Sequence, residues 1–139
     1  MDRYYEAIFE IIRTGHWITD AVSKQLKEYD IYEPQFNVLR ILRGAKGKPV
    51  SVNTILESMV QRSSNVTRIV DKLATKGLVQ RTLCSDDRRK KNIVITQKCL
   101  DLLVILDKKV EEFHEPMFGN LNEKELEKLA QLIRKLKKQ

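Results

Sequence analysis

The chain has 139 residues, of which 42% are hydrophobic and 32% charged, and its formal net charge is +7. This length supports one hydrophobic core, and the composition is typical of a water-soluble, helix-rich domain. The longest uncharged apolar run, residues 102–106, is too short to span a membrane, and we expect no secretory signal. Cys84 and Cys99 form no CxxC motif, so we expect no disulfide framework and a cytoplasmic location.

A long amphipathic helix is predicted over residues 3–28, because apolar residues recur there three and four positions apart. Residues 30–34 break this pattern. Pro34 suits the first turn of a second helix, where the missing backbone N–H leaves no helical hydrogen bond unmade. Residues 44–49, which include two glycines and a proline, are expected to end that helix.

Two short helices follow, with the proportions of a helix-turn-helix. Ser51 is the expected N-cap of the third helix, over residues 52–59. The fourth helix is expected to be capped by Ser63 or Ser64 and to end at Gly77, which suits the position after a helix C-terminus. The apolar stripe of the fourth helix comprises Val66, Ile69, Val70 and Leu73.

After the fourth helix the apolar spacing changes to two, which indicates β-strands. Residues 78–83 and 92–96 are predicted to form a hairpin with a polar tip at residues 85–91. The last third of the chain is helical again, and Asn122 with Glu125 has the pattern of a capping box that opens the final helix. The expected fold class is mainly α with a small β-hairpin: a winged helix-turn-helix domain plus terminal helices.

The terminal helices carry more apolar surface than a domain of this size covers by itself. We infer from this excess that they bury their apolar faces against a second copy of the chain, which makes the protein a homodimer. The residues expected at that interface are Leu103, Leu106, Val110, Leu129, Ile133 and Leu136.

Positive charge is concentrated in the window from Arg62 to Lys91, which holds nine basic and three acidic residues and so accounts for +6 of the net +7. A positive field of this kind favours a polyanionic partner, because basic side chains that neutralise phosphates release the counterions condensed on them, and this release favours binding. None of the nine aromatic residues lies in the window. Proteins that bind single-stranded nucleic acids usually place aromatic side chains, on which the bases stack, beside their basic residues. The window therefore favours double-stranded DNA.

The fourth helix is the expected recognition helix. Asn65 and Arg68 lie away from its apolar stripe, and in the major groove arginine reads guanine while asparagine reads adenine. For an isolated helix, a solvated charged face would be the better interpretation. The adjacent basic hairpin reverses that preference. The recognition-helix residues expected to contact DNA are Arg62, Ser63, Ser64, Asn65, Thr67, Arg68 and Lys72.

The hairpin tip is the second candidate for DNA contact, because it holds four consecutive cations. An arginine at such a tip can enter a narrow minor groove, where the potential is most negative. A solvated turn would account for one lysine, but it accounts poorly for four adjacent cations. The wing residues expected to contact DNA are Asp87, Arg88, Arg89, Lys90 and Lys91.

Four stretches carry a family resemblance: residues 34–40 (PQFNVLR), residues 64–73 (SNVTRIVDKL), residues 76–81 (KGLVQR), and the wing sequence Asp87-Arg88-Arg89 seven residues before Thr96. In this order and spacing, the chain resembles the MarR family of bacterial winged helix-turn-helix transcription regulators over nearly its whole length. One departure is Cys99, where the family commonly has glycine. The first-helix cysteine of the peroxide-sensing branch is absent from this sequence.

The resemblance implies a single domain over residues 1–139, with a DNA-binding lobe over about residues 33–97 and dimerisation helices over about 1–30 and 98–139. It implies an obligate homodimer that binds a pseudo-palindromic operator, more often as a repressor than as an activator. It also implies that ligands or oxidants often release members of the family from DNA. Within the wing it implies that Arg89 enters the minor groove, with Asp87 bracing its guanidinium.

A small-molecule effector cavity is expected, by the same resemblance, between the dimer helices and the DNA-binding lobe. Ordinary core and dimer packing is the alternative interpretation of this cluster. The residues expected to line the cavity are His16, Trp17, Tyr32, Phe36 and Arg40.

No sequence pattern indicates an enzyme, because there is no glycine-rich phosphate loop and no nucleophile elbow. His16 and His114 have no metal-ligand spacing, so we expect neither a metal nor another cofactor. The expected function is that of a sequence-specific regulator of transcription. The alternative is an architectural DNA-binding protein with little sequence preference.

Overall fold

The computed structural model describes residues 2–59, 65–83 and 91–138, with the side chains at 83 and 91 left out. Six α-helices and a small antiparallel sheet make up the described part, so the mainly α fold class is confirmed. The elements are α1 (Asp2–Lys27), α2 (Glu33–Gly44), β1 (Val50–Ser51), α3 (Val52–Ser58), α4 (Val66–Thr75), β2 (Val79–Leu83), β3 (Lys91–Ile95), α5 (Gln97–His114), a 3₁₀ turn (Glu115–Met117) and α6 (Glu123–Leu136).

The predicted start of α3 is confirmed, whereas α4 begins later than predicted. The Ser51 hydroxyl accepts a hydrogen bond from the Thr54 N–H at 3.1 Å, which satisfies a donor in the first turn of α3. The N-cap of α4 is Asn65, and not Ser63 or Ser64 as predicted from the sequence. Both serines lie outside the described residues.

Within the described ranges, the sheet has three strands in the order β1-β3-β2, all antiparallel. The predicted hairpin is present, with Val79 opposite Ile95 and Leu83 opposite Lys91. β1 was not predicted, because two residues are too short to display an alternating pattern. Its Val50 pairs with Ile93 and attaches the start of α3 to the hairpin. Of the predicted tip at residues 85–91, residues 85–90 lie outside the described part of the chain, and Lys91 begins β3.

A single core joins the helix-turn-helix to the sheet and to α5. Its members come from every element between the end of α1 and the middle of α5. Gly77 takes a φ of +73°, and the Leu78 N–H donates to the Leu73 carbonyl at 3.0 Å, as expected for the glycine after a helix. The largest fully buried side chains of the described residues are Leu26, Ile31, Val38, Leu39, Leu42, Ile55, Val70, Leu73, Ile93, Cys99, Leu103 and Leu106.

The terminal helices differ in how much of their apolar surface the chain itself covers. Leu103 and Leu106 of α5 are fully buried in the chain's own core, so their expected place at a dimer interface is wrong. None of the residues of α6, all of which are described, is buried. Its predicted capping box nevertheless forms: the Glu125 N–H donates to Asn122 Oδ1 at 2.8 Å, and the Asn122 N–H donates to Glu125 Oε1 at 3.1 Å. Along the described length of α1, only Leu26 is buried.

Candidate nucleic-acid interface

Helix α4 separates an apolar face from a polar one. Val66, Val70 and Leu73 are at most 3% exposed and pack into the core, where α4 contacts α2, α3 and β2. Thr67 and Arg68 lie on the exposed side, together with Lys72 one turn further on. Asn65 is exposed immediately before the helix. The helix therefore presents the side chains that were predicted from the sequence to contact DNA, as far as they are described.

The cations of the described basic window fall into two groups. Arg81 of β2 forms an ion pair with Asp71 of α4, and Lys76 pairs with Asp30. Across residues 2–59, 65–83 and 91–138, neither Arg68 nor Lys72 has an acidic group within ion-pair distance. As far as the described chain extends, Arg68 and Lys72 are the cations of α4 that remain available to phosphates or bases.

Arg81 links the recognition helix to the wing. Its guanidinium contacts the Asp71 carboxylate across the packing of α4 against β2. This charge-assisted contact bridges two elements that are predicted to contact DNA together. Arg81 and Lys76 belong to the basic window of the sequence, but their partners were not predictable, because those partners lie ten and 46 residues away in the chain.

The C-terminal end of α4 is attached to both neighbouring segments. The Lys76 ammonium donates to the Asp30 carbonyl in the turn between α1 and α2, and it lies 3.5 Å from Gln35 Oε1. The Lys98 ammonium donates to the Lys76 carbonyl at 2.8 Å, and the Thr96 hydroxyl donates to the Gly77 carbonyl at 2.8 Å. Helix α4 is thus held at this end by the α1–α2 turn and by the start of α5.

A groove runs between the first turn of α2 and the exposed side of α4. Pro34 and Ile69 supply apolar parts of its lining, while Arg68 and Lys72 supply two cations. This groove was not predicted from the sequence, because its two walls are about thirty to forty residues apart and no local pattern relates them. The lining residues are Tyr32, Pro34, Gln35, Asn65, Arg68, Ile69 and Lys72.

The wing and the segment before α4 carry the remaining predicted contacts. Arg62, Ser63, Ser64, Asp87, Arg88, Arg89 and Lys90 lie outside the described residues. Only the backbone of Lys91 is described; it begins β3 opposite Leu83. The described ends of β2 and β3 therefore adjoin residues 84–90, which include most of the predicted wing tip at 85–91, and the DNA contacts of that tip stay predictions.

The five residues predicted to line an effector cavity occupy separate surroundings. The Trp17 indole packs on the Phe113 ring, with centroids 5.3 Å apart, and is 54% exposed. Phe36 is buried beneath the Arg40 guanidinium, which lies 5.7 Å from the ring centroid. Tyr32 lines the groove beside α4. His16, beside Trp17 in α1, is exposed.

Cys99 is a packed residue of α5. The side chain has no exposed surface, and its backbone N–H donates to the Thr96 hydroxyl that caps the helix, at 3.2 Å. Burial raises the pKa of the thiol to about 11, although the charge of Arg43 acts in the opposite direction. A thiol that stays protonated at neutral pH is a poor nucleophile, so this environment does not suit a redox sensor.

Two features of the described residues bear on other classes of function. No group of three or more His, Cys, Asp or Glu side chains among them could hold a metal ion. In the same part of the chain, no helix combines the length and the apolar character needed to cross a bilayer.

Sequence comparison supports the family resemblance. The MarR family model matches residues 31–91, which include α2, α3, α4 and β2. Over 127 residues the chain is 25% identical to the uncharacterized HTH-type transcriptional regulator YwoH of Bacillus subtilis strain 168, and the match covers 91% of this chain and 90% of YwoH.

Solved structures share the whole architecture. A MarR-like transcription regulator from Bacillus cereus ATCC 10987 matches with a TM-score of 0.84 and 25% identity, over 99% of this chain and 97% of that one. MepR of S. aureus in complex with DNA matches at 0.80 with 24% identity, over 95% of both chains. The organohalide-sensing regulator RdhR-CbdbA1625 with bound 2,4-dichlorophenol matches at 0.83 with 20% identity, over 98% of this chain and 80% of that one.

These matches agree with the arrangement of the elements: a helix-turn-helix, a strand pair adjoining the wing, and long terminal helices in the family's order. The predicted resemblance to the MarR family and the predicted fold are both confirmed. The chain carries a MarR family match over residues 31–91 and has the winged helix-turn-helix fold of MarR-like transcription regulators.

Proposed function

We propose that the protein is a homodimeric repressor that binds a pseudo-palindromic operator in double-stranded DNA and that a small-molecule effector releases it. The observation that carries this proposal is the exposed side of α4, where Thr67, Arg68 and Lys72 lie opposite a buried apolar stripe. An α-helix with such a face fits the major groove. Without in-chain acidic partners among the described residues, Arg68 and Lys72 can exchange water for DNA.

The side chains of α4 have different roles, which follow from their chemistry. Arg68, near the start of the helix, can form the two-pronged hydrogen bond to guanine O6 and N7, and Asn65 can read adenine. Lys72 lies one turn further on and suits a backbone phosphate. Arg62, Ser63 and Ser64 are proposed to contact phosphates beside the start of the helix, in keeping with their place in the basic window.

The wing supplies a second contact in this proposal. Arg89 enters the minor groove and Asp87 orients it through a carboxylate–guanidinium pair, while Arg88, Lys90 and Lys91 neutralise phosphates. The described strands β2 and β3, which adjoin residues 84–90, belong to the same lobe as α4, and the Asp71–Arg81 ion pair bridges α4 and β2. Helix and wing would then bind adjacent grooves of one half-site.

The homodimer is supported by the apolar surface that the terminal helices leave uncovered. Leu129, Leu132 and Leu136 of α6 are each more than 40% exposed, and with Tyr4 and Ile11 of α1 they line a groove between the two helices. Single exposed leucines need no explanation, but a contiguous row of them does. A second copy would cover this groove and would place two recognition helices on a palindrome.

For the effector, we propose a site at the corner where α1 meets α5, around Trp17. Its indole remains half exposed while packed on Phe113, and the His114 ring is 5.7 Å from Phe113. An exposed aromatic pair of this kind suits a flat, apolar ligand. The dichlorophenol bound by the structurally similar regulator is a ligand of the same chemical class.

Selection of bound sequences from a random pool of duplex DNA tests the core of the proposal. We expect one pseudo-palindromic sequence to be enriched, and Arg68→Ala to weaken binding to it by roughly 1–3 kcal/mol while relaxing the base preference at one position per half-site. Lys72→Ala should weaken all sequences alike and lower the salt slope by about one. No enrichment, with equal losses on all DNA, would favour the architectural alternative.

Fluorescence tests the effector site, because Trp17 is the chain's only tryptophan. A series of phenols and aromatic acids is titrated against the DNA-bound protein, with Trp17 emission and DNA release followed together. An effector at this site should change both signals with one midpoint. Release without any change in emission would place the effector elsewhere.

A further inference from the structure

Tyr32 occupies a position that its predicted role did not anticipate. It is the N-cap residue of α2, its side chain is 60% exposed, and it lines the groove whose opposite wall carries Arg68 and Lys72 of α4. Its phenol therefore shares a surface with these two cations of the recognition helix, and not with the Trp17–Phe113 corner.

Gln35 holds this part of the structure in place. Its side chain is 4% exposed, and its Oε1 accepts a hydrogen bond from the Tyr32 N–H at 3.1 Å. The Lys76 ammonium lies 3.5 Å from the same oxygen and also contacts Asp30. The buried Gln35 amide oxygen thus contacts both the Tyr32 N–H and the Lys76 ammonium. Separating either group from it would cost free energy, because a buried polar group would be left without a partner. The first turn of α2 is thereby attached to the end of α4.

The groove has the chemistry of an anion site. Two cationic residues and Tyr32 line it, and among the described residues its lining includes no carboxylate, since the neighbouring Glu33 of α2 is not part of it. A phenol hydroxyl donates a hydrogen bond without carrying charge, whereas a lysine supplies charge without fixed direction. Together they would bind an anion that needs both neutralisation and orientation, such as a phosphodiester.

We propose that this groove binds one backbone phosphate of each operator half-site, with the Tyr32 hydroxyl donating a hydrogen bond to a phosphate oxygen and Lys72 neutralising its charge. The inference rests on the proposed binding of duplex DNA by α4. Backbone contacts set the register of a recognition helix, while base contacts supply its specificity. Tyr32 would thus set the register that lets Arg68 reach its base.

Tyr32→Phe tests the hydroxyl alone, because the ring and its packing are retained. Binding to the operator obtained by selection is measured as a function of salt, with Tyr5→Phe as the matched control, since Tyr5 is 74% exposed in the terminal helix α1. We expect Tyr32→Phe to bind about tenfold more weakly per half-site, as for a hydrogen bond to a charged group. Its salt slope should equal that of the parent, because no charge is removed.

A second measurement locates the contact on the DNA. Single phosphates of the operator are replaced in turn by neutral methylphosphonates, and each substituted duplex is bound by the parent and by Tyr32→Phe. At one phosphate per half-site, the losses of binding free energy caused by Tyr32→Phe and by the methylphosphonate should not be additive, because both changes remove the same hydrogen bond. At all other phosphates the two losses should add.

Three outcomes would overturn the inference. First, Tyr32→Phe could bind the operator within twofold of the parent. Second, the loss of affinity caused by Tyr32→Phe could add to the loss caused by every phosphate substitution. Third, Tyr32→Phe could leave operator affinity unchanged and alter only the release of DNA by the effector. The first two exclude a phosphate contact, and the third returns Tyr32 to the effector site. In each case the loss caused by Arg68→Ala decides separately whether the proposed DNA-binding face of α4 stands.

Discussion

Arg43 of α2 and Asp107 of α5 form a two-pronged ion pair, with Nη1 2.5 Å from Oδ2 and Nη2 3.3 Å from Oδ1. The two residues are 64 positions apart in the chain and belong to different parts of the molecule. α2 packs on both the recognition helix and α1, and α5 packs on α1 and continues toward the terminal helix α6. The pair therefore joins the DNA-binding lobe to the helices proposed to form the dimer.

The Arg43–Asp107 pair should contribute little to stability. Asp107→Asn is expected to lower the free energy of unfolding by less than about 1 kcal/mol, because both side chains are partly exposed and screened by solvent. Denaturant titration at low and high salt measures this, with Glu111→Gln on the exposed side of α5 as the control. A loss of several kcal/mol would show that the pair is part of the core packing.

The Cys99 thiol should make stability fall at alkaline pH. In the unfolded chain the thiol ionises near its ordinary pKa of 9.0, whereas burial keeps it protonated in the folded chain up to about pH 11. Between these values the folded state binds the proton more tightly, so the free energy of unfolding should decrease with rising pH, by about 2–3 kcal/mol in total.

Comparison of the parent with Cys99→Ala isolates this effect, since Cys84 and the other alkaline groups are present in both. The two proteins should differ by a constant amount below pH 9 and converge between pH 9 and 11. The native thiol should also react slowly with thiol reagents at neutral pH. Rapid modification there would contradict the buried environment.

The proposed dimer predicts a species of about 33 kDa at micromolar concentration, twice the 16.3 kDa chain. Leu132→Glu should dissociate it, because a charge would be buried in an apolar interface without a partner. Gln131→Glu on the opposite side of α6 is the matched control and should leave the dimer intact. Sedimentation measures both variants, and a well-folded monomeric parent would remove the basis for palindromic binding.

Arg89 is predicted to be the most important residue of the wing. Arg89→Lys retains the charge but loses the planar guanidinium, so binding should weaken more on operators with A/T-rich flanks than on those with G/C-rich flanks. Asp87→Ala should cause a milder version of the same change. Affinities on paired flanking sequences measure this, and equal binding of Arg89→Lys and the parent on every flank would reduce the wing to an electrostatic clamp.

Local chemistry determined most of the elements. The N-cap of α3 at Ser51, the capping box of Asn122 with Glu125 and the left-handed Gly77 were all predictable, because each depends on residues within a few positions of one another. The cations concentrated between Arg62 and Lys91 likewise indicate a polyanionic partner from the order of the residues alone, because charge density along the chain requires no knowledge of distant contacts.

Only the tertiary structure decided which distant residues meet. The pairing of β1 with β3 and the groove shared by Tyr32 and Lys72 join segments about forty residues apart, and no periodic pattern encodes such contacts. The apolar stripe of α5 showed that Leu103 and Leu106 would be buried, but not against what. Both leucines pack within their own chain, because the hydrophobic effect is non-directional and an amphipathic pattern specifies a face without specifying its partner.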